Sequence, residues 1–324
     1  MIRRLNYLKR IFSAYISGAD SQLTFWHGEP EVNGSITVDK LGPYYMLFES
    51  KANYTAYLDE AGIPQLNYHG TVGLQYNPIA IAQYGLGNYN RIKQTGDDHS
   101  YKKFIKAANW LVENLELNEH GIYVWNHYFD WEYRDTLLSP WYSALSQGQG
   151  ISCLLRAHQL SGEKSYMEAA EKALGSFLVE MDQGGVVHRD SQGYLWLEEV
   201  IVYPPTHILN GFLWAIWGLY DYYIYTNEPK AKDLFDQGVK TLVHYLPSYD
   251  TGFWSLYEHA GKKMMMLASP FYHSLHIVQL RVMCILTNQG IFETYTDKWK
   301  SYQGNFLNRY YSLIYKVIFK IFYY

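Results

Sequence analysis

Cysteine is nearly absent: the 324-residue chain holds two, Cys153 and Cys284. Two thiols cannot staple a chain of this length, and neither stands at a zinc-ligand spacing. Both fall in apolar, helix-like runs, so a buried and reduced pair is expected, in keeping with the cytoplasm. Charge is also scarce. Asp, Glu, Lys and Arg make up 18% of residues and the formal net charge is −4. That excludes the basic field with which nucleic-acid binders hold phosphates, so no such partner is expected. Long apolar runs are missing too. After the basic start Met1–Arg10, the run Ile11–Ile16 is too short for a signal peptide or a bilayer span. The expected location is the cytoplasm or the periphery of the inner membrane. No Ser–His–Asp spacing, phosphate-binding loop or zinc motif occurs, and Gly85-Leu86-Gly87 lacks the third glycine of a dinucleotide fingerprint. No metal and no cofactor are expected.

What the chain has in plenty is aromatic side chains: 33 Tyr, 14 Phe and 10 Trp. Aromatic faces stack on the C–H faces of sugar rings, and tyrosine adds a hydroxyl at the rim. A large core can use the same residues as filler. The apolar share of 48% is enough for such a core.

A repeat organises this material. Apolar runs start near Pro78, Tyr142, Thr206 and Tyr272, about 65 residues apart. Each is followed by a short polar break and a second, amphipathic run. The breaks are Gly96-Asp97-Asp98, Ser161-Gly162-Glu163, Thr226-Asn227-Glu228-Pro229 and Thr287-Asn288-Gln289-Gly290. Asp97, Asp98, Ser161 and Asn227 offer capping oxygens, and Pro229 suits a first helical turn. The first run of each pair is apolar on most faces, as in Phe212–Leu219, and the second on one. Alternating buried and half-exposed helices predict a mainly α chain, an (α/α) barrel or toroid of about four helical hairpins over 76–303. Residues 1–75 read as a small β-rich N-terminal region, with runs at Ser35–Val38 and Tyr44–Phe48. The connections at 117–141, 182–205 and 247–271 are long and mix Gly with alternating aromatics, which predicts β-hairpin loops over one barrel mouth. The tail, 304–324, interleaves cations with apolar residues. Packing on the body is the first expectation; a homodimer contact or a membrane surface are the others.

The mouth loops hold the chemistry-bearing residues: Trp196-Leu197-Glu198-Glu199, Tyr203-Pro204, Asn210, Tyr257, and Tyr272-His273 with His276. Paired glutamates are commonly a solvated face, and a tyrosine at a helix start is commonly packed. His273 and His276 share a helix face but have no evident third ligand. The glycines of Gln147-Gly148-Gln149-Gly150 weaken a helix, which implies close approach by a backbone or a ligand.

Across these blocks the chain resembles the glucuronyl C5-epimerases of heparan-type polysaccharides, in their C-terminal domain. The similar stretches are Ile79–Leu86 with Tyr84, Trp141-Tyr142 to Gln147 and Gln149, Leu209–Phe212, Gly218–Asp221, Leu246-Pro247, Tyr249–Gly252, Tyr272-His273 with His276, and Trp299–Tyr302. The resemblance runs over about residues 60–303 and implies the same toroid. It implies a uronic-acid polysaccharide as partner, no cofactor, and epimerisation of D-glucuronate to L-iduronate. Matched residue by residue, it points to Glu199 and Tyr272 as the groups on the two faces of the sugar, with Tyr257 beside them. One departure stands out. The family carries tyrosine and proline directly after the glutamate, whereas Val200 and Ile201 stand here. Tyr203 supplies that hydroxyl from a shifted loop, or the hydroxyl is missing.

Removing a proton α to a carboxylate needs a base, an acid on the other face, and donors at the carboxylate. Glu199 and Tyr272 are the expected pair, and a tyrosine base needs its pKa brought well below about 10. Asn210, Gln149, His127 and Arg134 are the expected carboxylate donors. Alternatives are a uronate lyase that shares the first step, a glycoside hydrolase pairing Glu199 with Asp130 or Asp250, and a silent glycan-binding barrel, for which Val200 speaks.

Overall fold

Each polar break ends one helix and caps the next. The computed structural model describes residues 28–323 other than 69, 134–135 and 262–263; Arg134 therefore lies outside the described residues. The hairpins are α1 (Pro78–Thr95) with α2 (Asp98–Glu113), α3 (Ala144–Ser161) with α4 (Lys164–Leu174), α5 (Leu209–Thr226) with α6 (Pro229–Tyr245), and α7 (Pro270–Thr287) with α8 (Gly290–Gly304). Gly96 and Gly162 close α1 and α3 in the left-handed region, at φ 68° and 72°. Asn227 and Asn288 do the same for α5 and α7, at φ 59° and 53°. Asn227 was expected to cap the following helix. Instead it terminates the preceding one, and the Glu228 side chain accepts from the Lys230 amide. Asp97 caps α2 through the amides of His99 and Ser100.

Helices α1, α3 and α5 are buried on every face over most of their length, whereas α2, α4 and α6 bury one stripe each. Successive inner helices pack on one another, α1 on α3, α3 on α5 and α5 on α7. The result is an (α/α) toroid with its inner helices around a common lumen. The glycines of α3 are explained by this packing. A Cβ on Gly148 would lie 2.7 Å from the Ala215 Cα of α5, and one on Gly150 2.3 Å from the Trp125 ring.

The far end of the lumen is closed by the segment before α1. Tyr44 and Tyr45 lie against Trp217, and the Arg156 guanidinium sits over both tyrosine rings. This burial replaces strand pairing. Among the described residues, Tyr44–Phe48 makes only the isolated Val32–Met46 bridge, and Ser35–Val38 forms no strand. The N-terminal hairpin that does form is β1 (Gln65–Asn67) with β2 (Leu74–Tyr76).

The connections between helix pairs carry the expected hairpins. These are β3 (Glu116–Leu117) with β4 (Tyr123–Val124), β5 (Trp131–Glu132) with β6 (Thr136–Leu137), and β7 (Val187–Arg189) with β8 (Leu195–Leu197). The last connection makes single bridges, Asp250–Ser255 and Leu256–Leu267. After α8 comes α9 (Phe306–Tyr323), with Ser312, Leu313, Lys316 and Phe319 buried. No helix among the described residues is long and apolar enough to cross a membrane.

Candidate active site

Glu199 follows β8 at the entrance to α5. The Asn210 amide nitrogen, one residue inside α5, donates to its carboxylate at 3.2 Å. Gly211 makes room for it, since a Cβ there would stand 2.2 Å from Glu199 Oε2. Burial pushes the Glu199 pKa up to about 8, the Asn210 bond pulls it back, and the neighbouring Glu198 charge adds to the rise. Its carboxyl is therefore largely protonated at neutral pH.

Tyr272 is the third residue of α7, its amide donating to the Ser269 cap at 3.3 Å. Burial holds its phenol far above the usual range, the Glu199 charge raises it further, and a hydrogen bond from Tyr257 opposes both. The Tyr257 and Tyr272 rings meet edge to face with centroids 4.8 Å apart. Tyr257 is fixed by its backbone. Its amide donates to the Met266 carbonyl at 2.7 Å, and its carbonyl accepts from Leu209, the first residue of α5, at 3.1 Å. Glu199, Tyr272, Tyr257 and Asn210 thus form one group. The direction of the Tyr272 shift is opposite to what a tyrosine base requires, so the phenol is a proton holder at neutral pH.

An aromatic wall borders the group. Trp141, Trp131 and Tyr257 pack on a buried patch of Tyr133, Leu137, Val200 and Ile208. Val200 thus contributes packing and no hydroxyl. Tyr203 does not replace it: the side chain is 64% exposed, and the charges that raise its pKa after burial are Asp182 and Glu180. Tyr142 is close enough to feel Tyr203 and shares that rim. His127 stacks flat on Trp141 at 3.8 Å, and burial pushes its pKa down to about 3. Its Nδ1 lies 3.1 Å from the Trp141 carbonyl, an acceptor. Nδ1 therefore carries the proton, and Nε2, without a partner among the described residues, is an acceptor. His127 is fully buried, and its Nε2 offers an acceptor where a carboxylate donor is expected.

Other expected binding residues lie in the packing. Gln147 is fully buried, accepting from the Trp125 amide at 3.0 Å and donating to Tyr123, Ala173 and Ser176. Gln149 accepts from Gln83 at 3.0 Å inside the lumen. Tyr84 is fully buried, with Lys103 of α2 over its ring. His273 and His276 both meet the Ser255 hydroxyl, at 2.8 and 3.0 Å, and His273 also contacts the Trp299 carbonyl at 3.0 Å. Burial lowers both pKa values, that of His273 to about 4. The histidine pair joins α7 to α8 and the last mouth loop. Among the described residues no cluster suited to a metal ion occurs.

Two features escaped the sequence. Tyr68, after β1, feels the Tyr272 phenol, accepts from Asn77 at 2.6 Å and lies against Phe129 at 4.4 Å. Nothing marks it locally; only Asn77 before Pro78 carries a signal, as the cap of α1. Glu198 turns away from Glu199 and accepts from His207, through its amide at 3.0 Å and its Nδ1 at 2.5 Å. His207 holds φ 51° to do so. The chain bends at Glu199, just past β8, so the adjacent glutamates meet different partners, His207 for Glu198 and Asn210 for Glu199.

A family match and a curated relative point to one family. Residues 118–301 match the family described as D-glucuronyl C5-epimerase C-terminus. The D-glucuronyl C5-epimerase of Caenorhabditis elegans is 32% identical over 228 residues, which cover 65% of this chain and 36% of that protein. The chain thus spans about a third of that relative's length. An uncharacterised protein of Methanocaldococcus jannaschii is 25% identical over 280 residues, covering 80% of this chain and 88% of the other. Among solved structures, the unsaturated glucuronyl hydrolase of Bacillus sp. GL1 superposes with a TM-score of 0.46 at 15% identity, over 69% of this chain and 60% of that one.

Proposed function

The chain belongs to the D-glucuronyl C5-epimerase family, and on that premise we propose that it inverts C5 of hexuronate units within a polysaccharide, turning D-glucuronate into L-iduronate in a heparosan-type chain. The observation that carries this reading is the grouping of Glu199, held by the Asn210 amide at 3.2 Å, with Tyr272, whose ring meets Tyr257 edge to face at 4.8 Å; burial raises the pKa of both acids, and Tyr272 sits within reach of the Glu199 charge. In its ionised form, Glu199 takes the C5 proton. The C5–H electron pair moves into the sugar carboxylate, giving an enolate-like dianion. The Tyr272 hydroxyl returns a proton to the other face of C5 and becomes a phenolate, which accepts a hydrogen bond from Tyr257. Coupling assists the exchange. The Glu199 charge raises the Tyr272 pKa, so neutralising Glu199 removes that obstacle as the phenol gives up its proton. The reverse direction uses the same groups in the opposite roles.

A hydrolase would need a second carboxylate across the bond. Asp130 is exposed and accepts from the Ser139 amide, and Asp250 is paired with Lys298. Neither makes a contact with Glu199 among the hydrogen bonds and ion pairs of the described residues.

The test is proton exchange at C5. The purified protein is incubated with N-acetylated and N-sulfated heparosan in D₂O, followed by NMR and ultraviolet absorbance. Loss of the C5 proton with new iduronate signals and flat absorbance is the expected result. Rising absorbance would make the chain a lyase. Binding without any exchange would make it a silent glycan-binding barrel, the reading that Val200 favours. Tyr272→Phe is expected to lower turnover by about 10²-fold or more with binding retained; unchanged turnover would remove Tyr272 from the mechanism.

A further inference from the structure

The terminal helix α9 lies wholly beyond residues 118–301, the span that matches the family. Its outer face leaves Phe306, Leu307, Tyr310 and Tyr311 exposed, while Leu313, Lys316 and Phe319 are buried. A lysine in a buried stripe is unfavourable unless acceptors meet its ammonium. Here they do. Lys316 Nζ donates to the Leu267 carbonyl at 2.5 Å, and the buried Glu258 carboxylate favours its charged form. Burial still pushes its pKa down to about 8.

Both partners belong to the mouth segment that carries Tyr257. Leu267 pairs with Leu256, Met266 accepts the Tyr257 amide at 2.7 Å, and Glu258 pairs with Ile208 at the entrance to α5. Tyr257 therefore stands between the two points that feel the Lys316 ammonium. A tyrosine that must reach Tyr272 from an irregular segment, with bridges in place of a full ladder, gains its precision from such a clamp.

We propose that Lys316 is a positioning residue for Tyr257: held to the Leu267 carbonyl and facing the Glu258 carboxylate, it fixes the segment from which Tyr257 meets Tyr272, and so makes the terminal helix part of the catalytic unit. The catalytic consequence rests on the role given to Tyr257 above; the structural one does not.

The experiment uses the full chain with Lys316→Met, Lys316→Arg and, as a control on the same helix, Leu313→Ala. The first readout is amide hydrogen exchange at Tyr257. Lys316→Met is expected to speed it about tenfold or more, Lys316→Arg to restore protection, and Leu313→Ala to leave it unchanged. The second is kinetics on heparosan. Lys316→Met is expected to lower kcat about tenfold with KM within about twofold, as for a misplaced group, and Lys316→Arg to recover it. If the methionine variant does not fold, Lys316→Gln takes its place in both measurements. Unaltered Tyr257 protection overturns the proposal, whatever the kinetics. Altered protection in a chain that never turns over heparosan leaves the clamp standing and overturns the epimerase reading instead.

Discussion

At the scale of single residues, the decisive quantity is the proton on Glu199. An unfolded glutamate titrates near about 4.3, whereas burial holds Glu199 up to about 8 in the folded chain. Between those values the folded state keeps a proton that the unfolded state has released. Its contribution to stability is complete below about pH 4.3 and is lost as pH rises through about 8. Glu199→Gln has no such proton. The melting temperature of the parent is therefore expected to fall relative to that of Glu199→Gln between pH 5 and pH 8.5, by about 2–4 °C for each kcal/mol. Parallel curves in calorimetry would show that the carboxyl is not held near neutrality. The same titration governs rate: kcat/KM is expected to climb about tenfold per unit up to pH 8 and then level, because only the carboxylate accepts the C5 proton.

At the scale of elements, the tightest crossing is that of α3 and α5. A Cβ on Gly218 would stand 2.4 Å from the Gly148 Cα, against backbone that cannot rotate away. Gly218→Ala is thus expected to destabilise by about 1–3 kcal/mol through overpacking, despite the higher helix propensity of alanine; denaturant unfolding would measure it, and unchanged stability would mean that the helices separate freely. Crossings of this kind explain what the sequence could convey. The hairpins were legible because polar breaks and helical periodicity are local signals, down to Gly96 and Gly162. Glu199, Tyr272 and Tyr257 were legible through spaced blocks of resemblance, and the structure brings them together. Gln147, Tyr84 and the His273–His276 pair look alike as ligand contacts or as packing until burial is known. Tyr68 was illegible for the opposite reason: it reaches Tyr272 across about two hundred residues of chain, and no local pattern records that.

At the scale of the whole molecule, the two ends of the lumen handle charge differently. At the mouth, Glu199 is half-buried, takes one amide donor from Asn210, and its proton becomes labile. At the closed end, Arg156 meets Asp221 in a two-point pair at 2.6 and 3.1 Å, Tyr45 donates to the same carboxylate at 2.6 Å, and the Gly42 carbonyl accepts from Arg156 at 2.9 Å. That network joins α3, α5 and the segment that closes the toroid, so its loss is felt across the chain. Removing one partner strands the other charge in the core, at a cost of about 3–5 kcal/mol. Arg156→Met is expected to show that loss. Arg156→Met with Asp221→Leu is expected to recover at least half of it, because the second change removes the stranded carboxylate and an apolar pair tolerates the site better than a lone ion. Stability from denaturant titration of the three variants closes the cycle. Simple additivity of the two changes would mean that the pair does not act as a unit, and that the aromatic packing of Tyr44, Tyr45 and Phe48 alone holds the closed end.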